Sequence, residues 1–171
     1  MPARKPTNKL KHVPLNPDAL RKHVLELLKG KSAHADFDAA VSKFPLKRAG
    51  EKPVGAPYSA WQLLEHMRIA QRDILEFSRN PKHVSPDFPS GYWPNTPAPP
   101  SAAAWSRSVR AFLRHRRALQ KLVINPKTDL SARIPQGSGQ IILREALLAA
   151  DHNSYHLGQL VLLRRLLGAW R

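Results

Sequence analysis

Gln140-Ile-Ile-Leu-Arg-Glu-Ala-Leu-Leu-Ala-Ala-Asp-His-Asn-Ser-Tyr-His-Leu-Gly-Gln-Leu-Val-Leu-Leu-Arg-Arg-Leu-Leu167 reads as one long helix that is apolar nearly all round. Such a helix belongs at the centre of a bundle, or also faces a partner chain, which makes a homodimer one expectation. Inside it, Asp151-His-Asn-Ser-Tyr-His-Leu-Gly-Gln159 carries two histidines at positions four apart. Residues at that spacing lie one turn apart on the same helix face. His152 and His156 therefore point the same way, close enough for one metal ion to be held between their rings. A buried imidazole needs partners for its nitrogens, and a metal supplies one for both rings at once. Taken alone the pair is a weak signal, because the spacing is common on helices.

Working back towards the N-terminus, three more amphipathic segments follow. Ser59-Ala-Trp-Gln62 has the form of a capping box, with Leu63, Met67, Ala70, Ile74 and Phe77 at helical spacing behind it and an end near Asn80-Pro81. His66 falls on that apolar stripe. A lone histidine there is more often a hydrogen-bonded core residue; paired with His152 and His156 on another inward face, it points to a metal site in a bundle. Ser101 caps a further helix with Trp105, Val109, Phe112, Leu113, Arg116, Leu119 and Val123 along one side. The first helix begins near Pro17-Asp18, carries Leu20, Val24, Leu27 and Leu28, and is interrupted at Gly30; a second piece with His34, Phe37, Val41 and Phe44 stops at Pro45. Residues 46–57 and 81–100 read as loops, the latter long enough to shape a pocket. Residues 125–139 are turn-rich, with a short extended piece expected around Leu130 to Ile134. Four long amphipathic segments with little strand content make the expected fold all-α, an antiparallel four-helix bundle with long connecting loops. Residues 1–16 read as a basic, loose arm and 17–171 as the domain.

Several further residues are candidates for the site. Glu145 and Gln159 lie near the ligand stripe, Glu145 as the best available proton acceptor and Gln159 as a hydrogen-bonding partner. His34, Tyr92, Trp93 and Tyr155 are candidate pocket residues, with packing or plain surface exposure as the alternative. Glu65 and Asp151 each precede a ligand and are turned about 100° away from it, which favours solvent-facing roles. His12, His23, His83 and His115 read as ordinary surface residues. The two histidines share the spacing of the zincin motif, but Asn153 stands where that chemistry needs a glutamate, which argues against a metalloprotease.

The sequence resembles the DinB-like superfamily from about Pro17 to the C-terminus. The likeness is carried by Ala33-His-Ala-Asp-Phe-Asp38, by Ser59-Ala-Trp-Gln-Leu-Leu-Glu-His-Met-Arg-Ile-Ala-Gln71, by Gly91-Tyr-Trp-Pro94 and by Asp151-His-Asn-Ser-Tyr-His-Leu-Gly-Gln-Leu160. The resemblance implies a four-helix bundle in which one histidine of the second helix and a His-x-x-x-His pair of the last bind a divalent ion. Those positions here are His66, His152 and His156. The superfamily's characterised enzymes include thiol transferases and a thiol-dependent isomerase, and many members have no known activity; its name is no evidence of DNA binding. A thiol S-transferase acting on small electrophiles is the activity so implied, with a metal-dependent hydrolase as the variant.

Three neutral imidazoles leave the charge of a divalent ion uncompensated and coordination positions open. A water or an exogenous thiol held there would be acidified. Imidazole suits zinc, nickel, iron and copper alike, zinc or nickel being the expected ions. Absence of cysteine removes thiolate ligands and a cysteine nucleophile, and with them disulfides. A thiol would come from a low-molecular-weight cosubstrate. The formal charge of +16 offers the other class of reading, a basic binding module for an acidic partner. Its lysines and arginines are spread along the chain without a nucleic-acid motif or interleaved aromatics, so no specific nucleic-acid partner is expected. No apolar run is long enough to span a membrane, and the basic N-terminus leads into no apolar stretch; a cytoplasmic location is expected.

Overall fold

A computed structural model describes residues 16–170 apart from residue 32. The basic arm expected over residues 1–16, His12 included, thus lies outside the described residues except for Asn16. Among the described residues there are five α-helices and no strand: α1 (Pro17–Lys29), α2 (Phe37–Val41), α3 (Ala60–Arg79), α4 (Ala102–Ile124) and α5 (Ile142–Leu166). The all-α expectation holds. The second piece of the first segment is a separate short helix, so five helices stand where four were expected.

Local chemistry explains where these helices begin and end. The Asn16 side chain accepts from the Asp18 amide at 2.9 Å ahead of Pro17. Gly30 then closes α1 in the left-handed conformation, φ 61°, which a side chain would resist. Asp36 caps α2 through the Ala39 amide. Ser59 and Gln62 form the reciprocal capping box at the start of α3. Ser101 accepts from the Ala104 amide to open α4. The extended piece expected near Leu130 to Ile134 is reduced to a single bridge between Arg133 and Ile141.

Packing follows the apolar stripes. α3 lies against both α4 and α5, and α1 against the same two helices. Leu63, Leu64, Trp105, Phe112, Leu160 and Leu163 belong to one buried cluster; Val24, Ile74, Leu75, Leu119, Ala146 and Ala149 belong to a second. The first half of α3 thus meets the second half of α5 and the reverse, so these two helices run in opposite directions. Leu27, expected in the stripe of α1, is exposed. On α5, Leu147, Tyr155, Leu162 and Leu166 are exposed although the opposite face is buried. No described helix is long and apolar enough to cross a membrane.

Candidate metal centre

The antiparallel seam between α3 and α5 brings three histidines to one point. His66 Nε2 lies 3.0 Å from His156 Nε2 and 3.0 Å from His152 Nε2. All three ligand atoms fall within 4.8 Å of one another. His66 and His156 are buried and His152 is half-buried. Trp93, from the loop between α3 and α4, stacks flat on the His66 ring at 3.9 Å between centroids and 4° between planes. Tyr58 stacks in turn on Trp93 at 3.8 Å.

For two of the rings the far side decides which nitrogen carries the proton. His66 Nδ1–H donates to the Tyr92 backbone carbonyl at 2.9 Å, and a carbonyl can only accept. His156 Nδ1–H donates to Gln159 Oε1 at 2.7 Å. In a neutral ring only one nitrogen carries a proton, so Nε2 of both rings presents a lone pair. Two lone pairs facing each other at 3.0 Å repel unless a cation lies between them. Desolvation holds the His66 pKa below its ordinary value against the raising influence of Tyr92. It lowers that of His156 likewise, and pushes His152 down to about 3, with the other two rings adding to the effect. Burial therefore disfavours a proton as the cation and keeps the lone pairs free for a metal.

The donor set fits a divalent ion. Three imidazole nitrogens are a known ligand set for zinc, at about 2.0–2.1 Å from the metal. Tetrahedral ligands at that distance sit about 3.3 Å apart, so the 3.0 Å pairs need only a few tenths of an ångström of movement. Two of the three rings already carry the outer acceptor that orients metal-bound histidine. His152 Nδ1 is buried with no hydrogen-bond partner among the described residues.

The remaining candidates fall in different places. Gln159 Oε1 accepts from His156 Nδ1, and Trp93 lies flat on the His66 ring. Tyr92 acts through its backbone, while its hydroxyl donates to Asp73 Oδ2 at 2.6 Å. Tyr155 is exposed and meets His156 edge-on at 4.8 Å. His34 is not on a helix: it sits in the connection from α1 to α2, bonded to the neighbouring Ala35 carbonyl, and lines a small cavity with Leu28, Phe37, Met67 and Asn153. Glu145 is buried and paired with Arg144 at 2.6 Å. Seven residues before His152, it lies about 10 Å along the axis of α5.

Three expectations of surface residues are corrected. His83 packs against Asp73 at 2.7 Å with its side chain 15% exposed, because the long loop folds back on α3. His115 is half-buried, its Nδ1 without a partner among the described residues, and burial with neighbouring arginines lowers its pKa to about 4. Glu65 is not solvent-facing, since it receives Arg68 and the Ser108 hydroxyl, whereas Asp151 is exposed as expected. Asp73 went unread in the sequence, and its position two turns after His66 on the same face was the available signal.

A family model described as the DinB superfamily matches residues 31–160. The helical fold and the three-histidine cluster define the class, a bundle with a candidate metal centre, and the match covers most of the chain: it belongs to the DinB superfamily. No curated protein and no solved structure matches the chain.

Proposed function

We propose that this protein is a metal-dependent enzyme whose centre is His66, His152 and His156, most concretely a transferase that joins a low-molecular-weight thiol to an electrophilic small molecule. The observation that carries the metal-dependent reading is the convergence of three Nε2 atoms on rings whose outer nitrogens, in two cases, are already bonded to acceptors. A divalent ion bound there, zinc or nickel, would supply Lewis-acid chemistry and acidify a water or an added thiol. The chain's own residues hold the rings: Tyr92 and Gln159 fix their tautomers, and Trp93 and Tyr58 shield His66 from water.

Support for the thiol comes from family membership. With no cysteine in the chain, any thiol must be exogenous. A cavity of about 310 Å³ lies between residues 54–58 and the outer face of α5, lined by Val54, Pro57, Tyr58, Leu162 and Leu166 and bordered by Gln159. It is mostly apolar and of a size that suits a small molecule. Metal-assisted hydrolysis by the same centre is the nearest variant. A cytoplasmic location accords with the proposal, because low-molecular-weight thiols stay reduced there. The exposed apolar residues of α5 support a homodimer.

The test of the transferase reading is consumption of thiol. Zinc- or nickel-loaded protein, given glutathione or another small thiol and a panel of alkyl and aryl electrophiles, should consume thiol and electrophile in equal amounts. His152→Ala should lower the rate at least a hundredfold, roughly the scale of losing a group that acts in the transition state. Release of acid from an ester panel without thiol consumption would favour the hydrolase variant, and no turnover with either panel would sink both.

A further inference from the structure

Tyr92 lies along α3 with both ends pinned. Its backbone carbonyl accepts from His66 Nδ1 at 2.9 Å, and its hydroxyl donates to Asp73 Oδ2 at 2.6 Å. His66 and Asp73 are seven residues apart on one helix, which puts them on nearly the same face two turns apart. The other Asp73 oxygen is taken as well, by His83 Nε2–H at 2.7 Å. One carboxylate on a rigid helix thus grips two points of the loop that follows it, and one of those points bears the carbonyl on His66.

We propose that Asp73 is a positioning residue of the centre: acting through the Tyr92 hydroxyl, it holds the Tyr92 carbonyl where it fixes the tautomer and orientation of the His66 ring. The inference rests on His66 being a ligand, as in the proposed function. A carbonyl on an irregular loop is only as well placed as the loop itself, and between residues 80 and 101 the only regular element is a single 3-10 turn, Ser90–Tyr92. Asp73 supplies the missing rigidity. Its side chain is 13% exposed, which weakens competition from water. Outer partners of metal-bound histidines change affinity by about 10- to 100-fold when removed. Here the carboxylate stands one residue further out, with a tyrosine as the relay, so the lower end of that range applies.

The experiment measures zinc affinity by competition with a chromophoric chelator, with the thermal midpoint of the metal-free protein followed in parallel. Tyr92→Phe removes one oxygen and keeps the backbone carbonyl itself, freed from its anchor; it should weaken zinc about tenfold, as should Asp73→Ala. The double variant should be no weaker than the worse single one, because both cut the same relay. Asp73→Asn, which keeps an oxygen for the Tyr92 hydroxyl, should retain most of the affinity. A purely structural latch would lower the midpoint while leaving zinc affinity within about twofold, and that result, or losses that multiply in the double variant, would overturn the proposal. Should Asp73→Ala fail to fold, Tyr92→Phe decides alone. Failure of the unaltered protein to bind zinc would count against the metal reading itself. In that event the His66 Nδ1 proton, followed by NMR in metal-free protein, still separates the two claims: faster exchange in Tyr92→Phe supports the relay, and unchanged exchange overturns it.

Discussion

A proton and a metal compete for the same lone pairs on His66, His152 and His156, and burial biases that competition. His152 is pushed to about 3, against about 6.5 for an unfolded histidine. Between those values the unfolded chain binds more protons than the folded one, so folding loses stability as pH falls. The metal-free protein should hold its full stability above about pH 6.5 and lose it progressively towards about pH 3. His66 and His156 shift in the same direction, and His115, at about 4, adds to the slope. Urea denaturation from about pH 7.5 to about pH 4.5 should show this decline, and His152→Ala should flatten part of it; a flat profile would contradict the burial argument. The ligand side chains were legible from sequence because identity and helical spacing are both written there. The acceptors were only half legible. Gln159 lies one turn from His156, but the partner of His66 is a backbone carbonyl, which every residue possesses, and Tyr92 is brought to it by a loop whose path no periodicity records. The same loop turns His83 from an expected surface residue into a partner of Asp73.

At the level of elements, caps and stripes were read closely because they are local. Ser59, Ser101, Gly30 and Pro17 each act through neighbours within a few residues. What lay beyond local reading is the second use of Ser59, whose hydroxyl also donates to the Pro97 carbonyl and ties the end of the long loop to the start of α3. Ser59→Ala therefore removes a cap and, with it, the hydroxyl's second hydrogen bond, the one to the carbonyl of the exposed Pro97. It should cost about 2 kcal/mol, against about 1 kcal/mol or less for Ser101→Ala, which removes a cap at an exposed position. Denaturant unfolding of the two variants compares them directly, and equal losses would show that the Pro97 contact contributes nothing. The division of the first segment into α1 and α2 was marked by Gly30. The placement of His34 outside both helices was not, because residues 31–36 have the polarity of a loop and the spacing of a helix alike.

For the whole molecule, the family match begins at residue 31 and ends at residue 160, so it contains all three histidines but not α1 or the last turn and a half of α5. α1 nevertheless packs on α4 and α5 and shares the second buried cluster, which makes it part of the same domain. The apolar character of α5 was legible as a whole and not by face. One side is buried, with Ala146, Ala149 and Ala150 in the second cluster, and the other leaves Leu162 and Leu166 in solvent. The net charge of +16 has no such anchor in the fold, since its cations are distributed over every described helix except α2. Everything proposed about activity depends on whether the seam between α3 and α5 holds an ion. Elemental analysis of the full chain, purified without chelators and again after reconstitution with zinc or nickel, tests that most directly. The account predicts about one metal per chain in the unaltered protein and little or none in His152→Ala at matched fold content. No metal in the unaltered protein under both conditions would contradict it.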